Sequence, residues 1–147
     1  MRFNTTTGYA FQIMLYLTIN RRIVSSMELT EYIAVSQRYV IQVARKLRSG
    51  GLIVTKNGMC GGYALLKEPA FISAYDIIVI MEGGVCIPES LITAVTDIQN
   101  GYNSFLLLVE YIETYLRFMT LDKLADKNIN EWHRTSIDAI GLQIVST

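Results

Sequence analysis

Two cysteines and one histidine in 147 residues leave little material for redox, metal or nucleophilic chemistry. Cys60 and Cys86 lie far apart, with no CxxC pairing and no histidine beside either, so a disulfide framework has no basis and a reducing cytoplasm fits. His133 sits in NEWHRTS beside Trp132, and no motif places a serine or cysteine nucleophile with it. Paired metal ligands and a phosphate loop of the GxxxxGK type are missing as well. The expectation is a protein that is not an enzyme and holds no metal or cofactor. Long apolar runs are also scarce. The opening MRFNTTTGYAFQIMLYL is interrupted by Gln12 and has no small-residue cleavage site, and Phe105 to Val109 is too short to span a bilayer. No membrane segment is expected.

Net charge is formally zero, but its distribution is not even. Residues 1–67 carry nine basic and two acidic side chains, a net of +7, whereas residues 68–147 carry four basic and eleven acidic, a net of −7. Such a split points to a basic functional face in the first half and a different task for the second.

The first half reads as helix, turn, helix, hairpin. Ala10, Ile13, Met14 and Leu17 recur with helical period over about residues 8–20, with Thr6 or Thr7 as the expected cap. Ser25 or Ser26 caps a short helix to about Tyr32, and Ser36 caps the next. In SQRYVIQVARKLRSGGLI the residues Tyr39, Val40, Val43, Ala44 and Leu47 share one face. Gln37, Arg38, Ile41, Gln42, Arg45, Lys46 and Arg48 take the other, and Gly50-Gly51 ends the helix. Residues 52–55 and 63–66 read as antiparallel strands joined by NGMCGG. Together these predict a mainly α fold with a small β-hairpin wing, a winged helix-turn-helix. Pro69 and Ser73 introduce a helix over about 73–82, and further helices are expected over about 89–99, ending near Asn100-Gly101, and from Ser104 to Met119.

The second helix of such a unit enters the major groove by its N-terminal end. Ser36, Gln37, Arg38 and Gln42 stand there. Glutamine pairs with adenine, arginine with guanine or phosphate, and serine with a phosphate near the positive helix terminus. Arg45, Lys46 and Arg48 lie further along and add phosphate attraction. The wing tip, with Asn57, Gly58, Gly61 and Gly62, is expected to approach the backbone or minor groove, and Lys56 and Lys67 flank it with charge. Double-stranded DNA is the expected partner. A thiol at that tip near Lys56 also makes Cys60 a candidate for oxidation that moves the wing off DNA.

The helix from Ser104 has two apolar faces. Phe105, Leu108, Val109, Ile112, Tyr115, Leu116 and Met119 form one stripe, and Leu107, Tyr111 and Phe118 the other. One face can be covered by the chain itself, and the simplest cover for the second is the same helix of a two-fold related copy, a homodimer.

The sequence resembles the bacterial Rrf-two family of winged-helix regulators, which includes iron–sulfur-cluster regulators, nitric-oxide-responsive repressors and cysteine-metabolism regulators. The resemblance is carried by MRFNTTTGYAF, VSSMELTEYIAVSQRYVIQVARKLRSGGLIV, the wing GMCGGYALLKEP, ISAYDIIVIMEGG and FMTLDKLAD. It implies a homodimeric transcription factor, usually a repressor, with a long C-terminal dimerisation helix. Residues 1–82 would be the DNA-binding domain and 83–147 the dimerisation region. Cluster-binding relatives carry three closely spaced cysteines in the loop before that helix, and this chain has only Cys86 there, which implies a regulator without a cluster. Ile41 and Asn57 stand where relatives place a glutamate and an arginine. Two other readings of the same fold stay open: an adaptor acting through a protein partner, and a small-molecule sensor with an apolar pocket between the first and dimerisation helices.

Overall fold

The computed structural model describes residues 3–84 and 99–126. Residues 89–98 of the helix expected over about 89–99, together with Cys86, Trp132 and His133, lie outside the described residues. Helix α1 spans Thr5–Asn20 and is capped by Asn4, whose side chain accepts from the Thr6 N–H at 3.3 Å. The cap is therefore two or three residues earlier than the threonines suggested, because Thr7 is buried and spends its hydroxyl elsewhere. Helix α2, Ser26–Ile33, begins at Ser25, and α3, Gln37–Ser49, begins at Ser36. Both serines accept from a backbone N–H of the first turn, at 3.1 Å from Glu28 and 3.4 Å from Tyr39. Between them Ala34 turns the chain in the left-handed region, φ 59°.

Strands β1, Ile53–Lys56, and β2, Gly62–Leu65, pair antiparallel with Ile53 opposite Leu65 and Lys56 opposite Gly62. The sheet gains a contact from outside the hairpin. Val24 exchanges two backbone hydrogen bonds with Tyr63, at 2.9 and 2.8 Å, and so sews the α1–α2 connection to the wing. After a 3-10 turn at Pro69–Phe71, Ser73 and Asp76 form a capping box for α4, Ala74–Glu82, which stops at Gly83.

Helix α5, Gln99–Phe118, runs straight through Asn100-Gly101, where a break was expected. Asn and Gly each weaken a helix by about 1 kcal/mol or less, and the long apolar segment behind them outweighs that. Arg117 lies over the Tyr75 ring at 3.6 Å, clamping α5 to α4. Met119, expected on a dimer face, is instead 4% exposed within its own chain, and its carbonyl accepts from the Ala74 N–H at 2.7 Å. Ser73 and Thr120 form a bridge, and α6, Leu121–Leu124, drops Leu121 into the core. That core joins Ile13, Met14 and Leu17 of α1 to Leu29, Val43, Leu47, Ile53 and Ile77.

Glu82 closes the loop between the ends of this unit. Its carboxylate accepts from the Asn4 N–H at 2.8 Å and from the Thr7 hydroxyl. The Thr7 hydrogen bond, then that of Asn4, hold the carboxyl below the ordinary glutamate value of 4.5. A depressed folded pKa means that this contribution to stability is present above about pH 4.5 and is lost as pH falls through the folded value. The Tm difference between the parent and Glu82→Gln is therefore expected to shrink on acidification below that point. A difference that stays constant from neutral to acid pH would show that the carboxylate charge has no part in the tie.

Candidate nucleic-acid interface

Helix α3 separates its two faces as its pattern demands. Val40, Val43, Ala44 and Leu47 are buried, while Gln37, Arg38, Ile41, Gln42, Arg45, Lys46 and Arg48 are all exposed. Its N-terminal end is pinned from behind. The Tyr39 hydroxyl meets Thr6 Oγ1 at 2.5 Å, and its ring packs edge-on against Tyr9 with centroids 5.5 Å apart. Those contacts fix how far the helix projects. Gln37 Nε2 donates to Ser26 Oγ at 2.9 Å, so one of the groups expected to meet bases is held by α2 in the free protein. Arg38 and Gln42 have no side-chain partner among the described residues.

The second turn of cations continues toward the wing. Burial raises the pKa of the Tyr63 phenol, and the charges of Arg48 and Arg45 act against that rise. Both arginines are thus near enough to Tyr63, on β2 of the wing, to act on it electrostatically. Lys56, which ends β1 opposite Gly62 beside the tip, and Lys67, which follows β2, are exposed. Neither has an ion-pair partner among the described residues.

The glycines at the tip answer first to the fold. A Cβ on Gly62 would lie 2.2 Å from the Val24 carbonyl oxygen, and one on Gly61 would lie 2.4 Å from that of Lys56. Gly58 holds φ +112°, a conformation that other residues rarely adopt. Backbone pairing and turn geometry account for these three without any ligand, which the residue pattern alone could not reveal. Cys60 is a free, exposed thiol beside Met59, whose side chain is fully in solvent.

Helix α5 sorts its apolar residues differently from the expected stripes. Val109, Ile112, Tyr115 and Leu116 are half-buried, on the side that packs against α4. Leu107, Leu108, Tyr111 and Phe118 are 50%, 54%, 44% and 39% exposed. Leu108 therefore belongs with the outward stripe, because the contact with α4 is set by helix rotation and not by apolar count.

A family model, Rrf2, described as an iron-dependent transcriptional regulator, matches residues 3–127. An HTH-type transcriptional regulator of Aquifex aeolicus is 33% identical over 79 residues, 53% of this chain and 55% of that protein. The HTH-type transcriptional regulator CymR of Bacillus subtilis is 41% identical over 56 residues, 38% of this chain and 41% of the relative. The chain spans about half the length of the curated relatives it matches. Among solved structures, Staphylococcus aureus CymR superposes with a TM-score of 0.68 at 27% identity, covering 84% of this chain and 97% of that one. IscR of T. potens gives 0.63 at 25%, covering 100% and 94%.

Proposed function

The chain belongs to the Rrf2 family of transcriptional regulators, and from that premise we propose that it binds double-stranded DNA as a homodimer and represses transcription. The family is one of regulators and not of enzymes, and no catalytic residue is assigned. The observation that carries the DNA reading is the outer face of α3. Five polar or cationic side chains, Arg38, Gln42, Arg45, Lys46 and Arg48, are exposed there. We assign Ser36, Gln37, Arg38 and Gln42 to the major groove, and Asn57 to Gly62 to the backbone or minor groove. Arg45, Lys46, Arg48, Lys56 and Lys67 go to phosphates. Residues 1–82 would form the DNA-binding unit and 83–147 the dimerisation region. The outward stripe of α5 would meet its own copy across a two-fold axis, in an isologous contact. Two recognition helices so related read half-sites about 34 Å apart, one turn of DNA, so the operator is palindromic. Repression requires only that the dimer occupy a promoter.

The iron in the family description finds no fit in this donor set. Iron–sulfur clusters are held typically by four thiolates, and the whole chain offers Cys60, Cys86 and one imidazole, His133. Among the described residues no three His, Cys, Asp or Glu side chains come together. No step of the proposed function passes through a cluster.

Arg38→Ala is expected to weaken operator binding about 10- to 100-fold, the worth of one good base or charged contact, with the dimer intact. Arg45→Ala should weaken specific and scrambled DNA alike and lower the log–log salt slope by about one. Fluorescence anisotropy against the promoter of its own gene, across salt concentrations, reads both. Unchanged operator affinity in Arg38→Ala would remove α3 from the interface.

A further inference from the structure

A cleft of about 540 Å³ opens at the base of the wing, where the C-terminal end of α1 faces the hairpin. It is a half-open groove and not an enclosed cavity, so a bound molecule would keep one side in solvent. Its apolar wall includes Leu17, Ile23, Leu65 and Pro69. Above this wall stand Arg21, Lys56 and Lys67, none with an ion-pair partner among the described residues. Arg22 also lines the cleft, but Glu28 neutralises it through paired contacts, one of them 3.0 Å from Nη1 to Oε2. Among the described residues Glu68 is the one carboxylate of the lining, so the cations are in excess there.

The placement of Arg21 is unusual in itself. It caps α1 with φ 48° and ψ 36°, the left-handed region that glycine or asparagine enters readily and a long side chain does not.

We propose that this cleft binds a small organic oxyanion, a carboxylate or phosphate monoester with a short apolar body. The oxyanion would sit among Arg21, Lys56 and Lys67, and the body against Leu17 and Pro69. Lys56 and Lys67 are the same cations assigned to DNA phosphates, so the anion and DNA compete for them. Ligand then lowers DNA affinity, and DNA lowers ligand affinity by the same factor. This regulatory consequence rests on the DNA-binding reading; occupancy of the cleft does not.

The test uses phenyl phosphate as probe, with inorganic phosphate and chloride at matched ionic strength as controls. Glycine accepts the backbone angles of residue 21, so Arg21→Gly removes the charge and keeps the fold. Calorimetric titration of the DNA-free chain is expected to show saturable phenyl phosphate binding with a Kd below about 1 mM. Inorganic phosphate should bind more weakly, and Arg21→Gly should lose at least tenfold. Phenyl phosphate should also weaken DNA binding of the parent about fivefold or more while leaving that of Arg21→Gly unchanged. No saturable binding, or equal binding by the variant, overturns the site. Should Arg21→Gly instead lose DNA affinity and about one unit of salt slope while the parent ignores the probe, the oxyanion served is a DNA phosphate and the small-molecule site is overturned. A parent chain that binds the probe but not DNA keeps the cleft and refutes the operator reading alone.

Discussion

Gly62→Ala is expected to lower stability by about 3 kcal/mol, near the upper end for a single methyl group, because the added carbon has nowhere to go. It would sit 2.2 Å from the Val24 carbonyl oxygen and 2.6 Å from its carbon, both backbone atoms. They are held in turn by the paired hydrogen bonds between Val24 and Tyr63. Relief means parting β2 from the α1–α2 connection, which loosens the wing and the floor under α2 together. For a chain of this length the loss is about 10 °C in Tm. Two other glycines serve as controls. Gly8, in α1, has open space around its missing side chain, and Gly8→Ala should be neutral or stabilising by up to about 1 kcal/mol. Gly58 is also unobstructed but holds φ +112°, so Gly58→Ala should cost about 1 kcal/mol from strain alone. Differential scanning calorimetry of the three variants tests the order. Equal Tm for Gly62→Ala and the parent would mean that Val24 and β2 do not pair.

Introducing charge on the outward stripe of α5 should have a still larger effect on function and almost none on the protomer. Leu107 and Tyr111 are one turn apart on the same side, and half or nearly half of each is in solvent. Leu107→Glu with Tyr111→Glu would set four carboxylates against one another across a two-fold contact, each stripped of water, and association should fail. A monomer holds one recognition helix and one half-site. With the second half-site no longer bound intramolecularly, operator affinity should fall by about a hundredfold or more. Sedimentation velocity reads the assembly, circular dichroism the intact fold, and anisotropy the lost affinity. A variant that still sediments as a dimer would place the interface elsewhere. By the same logic Met119→Glu is uninformative, since that side chain lies inside the protomer.

The local elements were legible because their determinants are local. Serines 25, 36 and 73 cap the helices that follow them, since a hydroxyl before an apolar period satisfies free N–H groups whatever the rest of the chain does. The segregation of α3 into Val40-Val43-Ala44-Leu47 and a cationic face follows from its period, and the hairpin from its glycine-rich link between two apolar runs. Family membership was also within reach of the sequence, through the wing and the segment after it. Other features needed the fold. Glu82 and Asn4 are 78 positions apart, and nothing near either announces the other. The same holds for Val24 on Tyr63, for the return of Met119 and Leu121 to the N-terminal core, and for the strained caps at Arg21 and Ala34.

What the chain of residues decided by itself was therefore the helices of the N-terminal unit, the sign of charge on the exposed face of α3 and the position of the wing. Which apolar residues of α5 turn inward, why Gly62 has no alternative, and that Arg21, Lys56 and Lys67 share one cleft were settled only by tertiary packing. The physical reason is the range of the forces. Caps and periodicity act within a turn or two of backbone, whereas helix rotation, strand contact and the convergence of cations depend on how distant surfaces fit together.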